Sequence, residues 1–370
     1  MNKMKVPFNY LQYEFKEHEI IISKWRDLIL STDYTLGKYV NLVEKKFSNY
    51  FNCKYVIAVN SGTDALILAL KSLGIKSGDE VITAANTFYA TAGAIVACNA
   101  KPILVDINEN YQINEKLIEK NITKKTKAII PVYWGGSAPE IEKIINISKK
   151  YKIKVIEDSC MAIGGKVKNR HPGTFGDVGC FSFHPLKTIN AIGDAGMICT
   201  NNKKIYQWAK KYRNHGMKDR DNIDYWGVNM RMQPLQCIVV LEGLKKINNI
   251  ISSRNKNAKF LDMHLEKIKE FIKIPPRNKK NLETFALYMI RVANRDKLIK
   301  YLNFNGIEAK IHYPKPLCLQ KPYLKYGYKN ITKNAIKHSK ELITLPVHQY
   351  LNEKHLNYMI QKIFSFYKVN

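Results

Sequence analysis

The sequence predicts an α/β fold in which a mostly parallel central sheet is flanked by helices and followed by a smaller C-terminal α+β domain. Two observations lead to this prediction. Short runs rich in valine and isoleucine alternate with helical patterns through the first two thirds of the 370 residues, as in successive βαβ units. The pattern then changes near residue 245. We therefore expect a large domain at 1–245 and a small domain at 246–370.

Seven apolar runs are the predicted strands of the large domain. They are Tyr55–Val59, Glu80–Thr83, Pro102–Asp106, Lys127–Val132, Lys154–Glu157, Gly179–Phe183 and Met197–Thr200. Most are apolar along their length, which is typical of parallel strands covered on both faces. Between them, Ala65–Leu73 is apolar on every side, as expected of a helix buried against the sheet, whereas Ile141–Tyr151 has apolar residues at helical spacing with lysines opposite.

The last third of the chain has a different pattern. A lysine- and asparagine-rich helical stretch runs from about Leu241 to Phe271. Strands are then predicted at Ile272–Pro276 and Phe285–Val292, and helices at Asp296–Asn305 and Glu353–Tyr367. This mixture of short strands and helices predicts the α+β character of the small domain.

Composition excludes several classes of protein. No apolar segment fits a signal peptide or approaches the roughly 20 residues of a membrane span, so we expect a cytoplasmic protein. The seven cysteines form no C-x-x-C pair, which argues against a zinc site or a disulfide framework. The net charge of +29 would suit nucleic acid, anionic membranes or phosphorylated substrates. Because the lysines are dispersed along the chain, a solvated surface is the simpler interpretation.

Common nucleotide and metal motifs are missing from the sequence. It contains no G-x-G-x-x-G or G-x-x-x-x-G-K-[ST] loop and no H-E-x-x-H, and its nine histidines are dispersed. The Rossmann and P-loop interpretations therefore lose their main support, and we expect no metal site.

The turn after the first predicted strand is a candidate phosphate site. Tyr55–Val59 leads through Asn60-Ser61-Gly62-Thr63-Asp64 directly into a helix. The unpaired N–H groups and positive dipole end of a helix N-terminus attract phosphate, and Gly62 allows close approach. Ser61 or Thr63 could instead merely cap the helix, and from this motif alone the cap is the simpler interpretation.

Two further candidates follow other strands. Asp158 comes after Lys154–Glu157, at the sheet edge where α/β proteins bind ligands. A carboxylate there could keep a pyridinium nitrogen protonated, or it could cap a helix. Phe181–Lys187 is interpreted as a strand that ends in a lysine. A partly desolvated amine loses its proton more readily and can attack a carbonyl to form an imine, although Lys187 could also be an ordinary surface lysine.

Several motifs in a fixed order extend over nearly the whole chain. They are S-G-T-D-A-L at 61–66, Glu157-Asp158, G-T-F-G-D-V-G-C-F-S-F-H at 173–184, Lys187 with G-D-A-G at 193–196, R-N-H-G at 213–216, G-V-N-M-R-M-Q-P-L-Q at 227–236, G-I-E-A-K-I-H-Y-P-K-P-L at 306–317 and L-P-V-H at 345–348. Together they resemble the DegT/DnrJ/EryC1/StrS family of sugar aminotransferases. The resemblance implies the cofactor pyridoxal 5'-phosphate (PLP) and the fold of aspartate aminotransferase, PLP-dependent transferase fold type I.

The resemblance also implies roles for individual residues. Lys187 would form the Schiff base with the cofactor and move a proton during the reaction, while Asp158 would pair with the pyridine nitrogen. A flat apolar ring suits stacking on the cofactor, and Phe88 would have that role. The implied phosphate contacts are Gly62, Thr63 and Ser182, with Asn229 reaching the phosphate of a neighbouring subunit, and the implied substrate contacts are His184, His312 and Tyr313. A homodimer with shared active sites is therefore expected.

One position departs from the family pattern. Met161 stands where relatives usually have a glutamine that contacts the cofactor near its ring hydroxyl. Methionine is a poor hydrogen-bond partner and offers only a soft apolar contact, so we expect that contact to be made differently or to be missing. The presence of Lys187 argues against the dehydratase branch of the family, where a histidine replaces this lysine.

The implied reaction moves an amino group from an amino acid, glutamate in most relatives, to a nucleotide-linked keto sugar in amino-sugar and surface polysaccharide synthesis. Gly193-Asp194-Ala195-Gly196 is closer to the G-D-G-G of many 3-keto enzymes than to the G-E-G-G of many 4-keto enzymes, which favours a 3-keto deoxyhexose. Two alternatives stay open. One is a cyclitol ketone, and the other is a non-catalytic basic regulator that binds nucleic acid on the same fold. Otherwise neither nucleic acid nor a membrane is expected as a partner.

Overall fold

Strands and helices alternate along the first two thirds of the chain in a computed structural model that describes residues 4–327 and 332–369. The strands are β1 Tyr55–Val59, β2 Glu80–Ala84, β3 Lys101–Val105, β4 Thr126–Ile130, β5 Lys154–Asp158, β6 Lys166–Val167, β7 Val178–Ser182, β8 Gly196–Thr200, β9 Ile272–Lys273, β10 Asn281–Leu282, β11 Tyr288–Val292 and β12 Leu342–Leu345. The α-helices are α1 Leu11–Glu14, α2 Glu19–Ser31, α3 Lys38–Phe51, α4 Gly62–Ser72, α5 Tyr89–Ala97, α6 Ile141–Tyr151, α7 Lys203–Tyr212, α8 Pro234–Leu265, α9 Arg295–Phe304, α10 Lys321–Lys325, α11 Lys333–Glu341 and α12 Glu353–Tyr367.

The central sheet has seven strands in the order β1-β8-β7-β5-β4-β2-β3. Its strands pair in parallel, except that β8 runs antiparallel to both of its neighbours. All seven predicted runs form these strands, and the predicted, mostly parallel sheet is confirmed. The bounds differ by one or two residues. For example, β4 ends at Ile130 rather than Val132, because Pro131 has no N–H to continue the hydrogen-bond ladder.

Both faces of this sheet are covered, as β1 illustrates. Successive side chains of a strand point to opposite faces. Ile57 and Val59 join the apolar core that contains α4, whereas Val56 and Ala58 join the core that contains α3 and the first half of α8. Burial on both faces explains why the strands are continuously apolar in sequence.

The C-terminal region forms its own small sheet and core. Its strands pair antiparallel in the order β12-β11-β9, and they pack with α9, α12 and the second half of α8. Val6 also belongs to this core. Its backbone is held there by two hydrogen bonds, one from its N–H to Gly306 O at 2.9 Å and one from Glu308 N to its carbonyl at 3.0 Å. The predicted domain boundary near residue 245 falls within α8 and stays a prediction.

Three predicted elements of this region have different bounds. The long helix begins at Pro234 rather than Leu241, since proline is well tolerated in the first helical turn, and it ends at Leu265. β9 stops at Lys273 because Pro275 and Pro276 cannot donate to a ladder. β11 begins only at Tyr288, because Phe285 has a left-handed φ of 45°. In the described part of the chain, no helix combines the length and apolarity needed to cross a membrane.

Candidate active site

One cavity, at the carboxyl ends of the central strands, contains most of the predicted site residues. Its lining includes Gly62, Thr63, Phe88, Asp158, Met161, Ser182, His184, Lys187, His312 and Tyr313. Of the predicted set, Asn229 lies elsewhere, exposed in the loop before α8. Elements that are far apart in sequence therefore bring ten of the eleven predicted residues to one place.

The start of α4 forms one end of this cavity. Ser61 Oγ accepts a hydrogen bond from Asp64 N at 3.0 Å, so Ser61 caps the helix. Gly62 and Thr63 also lie in the first turn, where backbone N–H groups have no intrahelical acceptor. Both residues line the cavity. The cap and an anion site at the helix N-terminus are thus compatible interpretations of the same turn.

Two glycines let neighbouring chain segments approach the start of α4 closely. A Cβ atom at Gly62 would lie 2.7 Å from Ser182 Cβ, and one at Gly196 would lie 2.4 Å from Ser61 O. Either distance is shorter than real Cβ contacts allow. Because these positions lack side chains, the end of β7 packs beside the helix, and the Ser182 hydroxyl lies next to its first turn.

Asp158 is buried at the carboxyl end of β5, and both oxygens of its carboxylate are held. Oδ2 accepts from Thr91 Oγ1 at 2.8 Å, and Oδ1 accepts from Cys160 N at 3.3 Å. Thr87 Oγ1 lies 3.2 Å from Thr91 Oγ1 and extends this network. The sequence analysis missed both threonines, although their spacing of four residues around Phe88 places them on one side of a helix start and could have revealed them.

Lys187 lies in the loop after β7 rather than in the strand itself, so its predicted position at the end of that strand was wrong. The strand ends at Ser182, and Pro185 prevents its continuation. The chain turns instead, with Lys187 N donating to His184 O at 2.8 Å. The Lys187 side chain is half-buried. Burial lowers the pKa of its amine, while Cys160 and Asp158 act in the opposite direction. The amine therefore loses its proton more readily than that of a surface lysine.

Aromatic side chains surround the open side of the cavity. The ring of Tyr313 lies 6.0 Å from that of Phe88 and 5.5 Å from that of Trp134, between centroids. Phe88 is 39% exposed and lines the cavity, so part of its ring is accessible to a flat ligand. Met161 packs in the apolar cluster that contains Trp134 and Tyr313. Its side chain therefore contributes an apolar wall to the cavity.

The predicted substrate histidines differ in their surroundings. His312 Nδ1 lies 3.0 Å from Thr344 Oγ1. Burial lowers its pKa to about 4, and Lys187 and Lys310 act in the same direction. His184 is exposed, and its pKa is lowered by partial burial and by the nearby Lys187. Both rings are therefore expected to be neutral at physiological pH and to act as hydrogen-bonding groups rather than cations.

The residues present fit pyridoxal 5'-phosphate by the chemistry of their groups. Lys187 supplies an amine for the cofactor aldehyde, and Asp158 supplies a fixed carboxylate for the ring nitrogen. The start of α4 offers free N–H groups to the phosphate. All three line the same cavity.

Among the other residues that line this cavity and were not predicted as site residues are Phe8, Tyr10, Arg254 and His348. The motif L-P-V-H includes His348, but no local pattern distinguishes the other three. Tyr10 and Arg254 contact the loop that carries Lys187 through a chain of hydrogen bonds.

Comparison with known proteins gives a consistent result. The profile of the DegT/DnrJ/EryC1/StrS aminotransferase family matches residues 16–364. The chain is 34% identical over 369 residues to a "Pleiotropic regulatory protein" of Geobacillus stearothermophilus, covering 99% of each. It is 34% identical over 326 residues to the UDP-2-acetamido-2-deoxy-3-oxo-D-glucuronate aminotransferase of Pseudomonas aeruginosa, covering 86% of this chain and 88% of that protein. The crystal structure of DesV from S. venezuelae in complex with a ketimine intermediate superposes with a TM-score of 0.94 at 27% identity, covering 98% of both chains.

Proposed function

Because this chain belongs to the DegT/DnrJ/EryC1/StrS aminotransferase family, which includes PLP-dependent sugar aminotransferases, we propose that it transfers an amino group from L-glutamate to a nucleotide-linked 3-keto deoxyhexose. The observation that carries this proposal is the cavity that joins Lys187, Asp158 and the start of α4. The product would be an amino sugar for surface polysaccharide synthesis.

Lys187 and Asp158 have complementary roles in this proposal. When bound, the cofactor supplies an aldehyde that takes up the amino group and a ring that withdraws electrons from the reacting carbon. Lys187 has a lowered pKa because it is buried, which suits it to hold the cofactor covalently and then to move a proton at its Nζ atom. Asp158, whose carboxylate is fixed by Thr91 and by Cys160 N, would keep the ring nitrogen protonated.

The other predicted residues would bind and orient the cofactor. The N–H groups of Gly62 and Thr63, together with the Ser182 hydroxyl, would hold its phosphate. Phe88 would fix the plane of the ring by stacking on it. Met161 would meet the ring with an apolar side chain, so a hydrogen bond to the ring hydroxyl would need a different donor.

Two observations support a ketone at C3 of the sugar. Gly193-Asp194-Ala195-Gly196 carries the aspartate that the resemblance associates with 3-keto enzymes, and Asp194 lines the cavity. The Pseudomonas aeruginosa relative is named for a 3-oxo sugar. The excess of positive charge, +29, would also favour encounter with a pyrophosphate-linked substrate, an effect that salt screens.

The substrate proposal is tested by direct assay. Purified protein with PLP and L-glutamate is given a 3-keto nucleotide sugar, its 4-keto isomer and a cyclitol ketone. We expect kcat/KM to be at least about 100-fold higher for the 3-keto sugar, because misplacing the carbonyl relative to Lys187 by about 1 Å can cost that factor. Lys187→Ala serves as the blank. Activity on the 4-keto isomer alone would contradict the proposed keto position, and equal activity on the cyclitol would contradict the need for a nucleotide.

A homodimer completes the proposed site. Asn229 is exposed and lies outside its own chain's cavity, and Trp226, in the same loop, is 88% exposed. We propose that this loop packs on a second copy and brings Asn229 to that copy's phosphate. Light scattering should then give twice the 42.8 kDa of one chain, whereas a mass of 42.8 kDa would contradict the shared site.

A regulatory function is the second candidate. The Geobacillus stearothermophilus relative, similar over 99% of each chain, is named a regulatory protein, and the net charge of +29 would suit nucleic acid. A purely regulatory protein would not need a lysine of lowered pKa, Lys187, and a buried carboxylate, Asp158, in one cavity. This pair therefore favours catalysis as the main function.

A further inference from the structure

We propose that Tyr10, held by Arg254, is a positioning residue that fixes the loop carrying Lys187. This inference rests on the proposed role of Lys187 as the cofactor lysine. Neither Tyr10 nor Arg254 belongs to a motif at the ends of the central strands. Both line the cavity. Tyr10 contacts the main chain of Lys187 rather than its amine, and Arg254 contacts Tyr10.

The hydrogen bonds form a relay whose direction is fixed by chemistry. Arg254 Nη2 donates to the Tyr10 hydroxyl oxygen at 2.9 Å, since a guanidinium can only donate. The single hydroxyl hydrogen of Tyr10 is then available for Lys187 O, 3.1 Å away. Arg254 Nε donates to Gln349 Oε1 at 3.0 Å, which ties the relay to the C-terminal domain.

Arg254 is almost completely buried, with 2% of its surface exposed. Burying a charge costs free energy unless the charge is compensated. Yet within residues 4–327 and 332–369 no carboxylate forms an ion pair with Arg254, and its guanidinium instead donates to neutral acceptors and lies over the Tyr10 ring at 5.3 Å from the centroid. The charge of Glu14 compensates it only through space. Hydrogen bonds to Tyr10, Gln349 and Phe285 O thus hold this cation.

The segment that contains Tyr10, residues 4–14, connects the C-terminal region to the loop from His184 to Ala195, here called the lysine loop. His348 Nε2 donates to Pro7 O at 2.9 Å, and the His348 and Tyr10 rings lie 5.1 Å apart. Further along, Glu14 Oε2 accepts from Asn190 Nδ2 at 3.0 Å. The loop from His184 to Ala195 is therefore held by this segment at two points, Lys187 and Asn190.

The lysine loop needs such support because the sheet does not provide it. β7 ends at Ser182, so the backbone at Lys187 has no strand neighbour. Covalent and proton-transfer chemistry requires the amine to be placed within a fraction of an ångström. The hydrogen bond from Tyr10 fixes the carbonyl of the same residue whose amine would react.

Tyr10→Phe tests the proposal, because it removes only the hydroxyl and keeps the ring that packs on His348. The readout is the rate at which a borohydride-sensitive absorbance band forms when PLP is added to the full-length protein freed of cofactor. We expect a rate about 5-fold lower than in the wild type, the size of one neutral hydrogen bond. The thermal unfolding temperature should fall by only a few degrees, because the ring stays packed while the buried Arg254 loses one acceptor.

Tyr13→Phe is the matched control, because Tyr13 lies in the same segment and contacts Tyr350 rather than Lys187. It should form the band at the wild-type rate.

Arg254→Lys keeps the charge but loses the planar guanidinium that reaches both Tyr10 and Gln349. It should be slowed like Tyr10→Phe, and the double variant should be no slower than either. Equal rates in wild type and Tyr10→Phe would overturn the positioning role alone, whereas a wild type that forms no band would overturn the proposed function.

Discussion

Replacement of Lys187 by alanine should lower the rate of transamination by at least about 10³-fold, because proton transfer by one positioned residue is worth about 10²–10⁴-fold and the same side chain would hold the cofactor. The purified wild type should absorb between about 300 and 500 nm, where pyridoxal imines absorb, and borohydride should bleach that band. Lys187→Ala should lack the band that comes from an imine between the cofactor and the protein. Its fold should be retained, since truncating a half-buried loop side chain removes little core.

Lys187→Arg tests the need for a reactive amine separately from the need for a positive charge. Arginine keeps a positive charge at this position but cannot be deprotonated, so it cannot attack an aldehyde. We expect it to be as inactive as Lys187→Ala. A borohydride-sensitive band in Lys187→Arg would mean that another amine holds the cofactor. A wild type without a band, even after PLP is added, would mean that the fold has lost this chemistry and would favour the regulatory candidate.

Replacement of Asp158 by asparagine should lower kcat by about 10²–10³-fold, the usual cost of removing one preorganised electrostatic partner. The amide has nearly the same shape, and its single oxygen can still accept from one of the two donors, Thr91 Oγ1 or Cys160 N. It lacks the charge that would hold a proton on the ring nitrogen. The absorbance band should persist because Lys187 is intact. Steady-state kinetics and an absorbance spectrum of the same preparation check both expectations.

Asp177→Asn is the matched control for that substitution. Asp177 Oδ2 accepts from Val155 N at 2.9 Å, near the amino end of β5, whereas Asp158 lies at its carboxyl end. The same chemical change at the far side of the sheet should leave kcat close to the wild-type value. If Asp158→Asn were also close to wild type, the proposed pairing with the ring nitrogen would be incorrect.

Local sequence predicted the features that depend on local physics. Runs such as Tyr55–Val59 are apolar on both faces because both faces are buried, so the central strands could be recognised. The helix start at Gly62 and the acid at Asp158 follow from residue types at strand ends. By contrast α5 (Tyr89–Ala97) was not predicted, because it consists of small and apolar residues without a polar face.

Contacts between distant residues could not be predicted in this way. Thr91 and Asp158 are 67 residues apart, and Arg254 and Tyr10 are 244 apart. No periodicity or spacing within one segment encodes such a pair. The end of β7, before Lys187, was also misplaced. The apolar run continues to Phe183, but the strand ends at Ser182, and Pro185 prevents its continuation toward Lys187. The proposed role of Asn229 likewise depends on a second copy of the chain.

The pairing of Val6 with residues 306–308 has a consequence for how the protein forms during synthesis. A ribosome releases residues 4–14 well before their neighbours at Arg254, Gly306 and His348. Contacts of such large sequence separation form slowly. The strands of the central sheet can assemble before them, as domains generally fold in order along the nascent chain. We therefore expect residues 4–14 to be among the last to dock, so that the lysine loop gains its anchors only after the C-terminal region has folded.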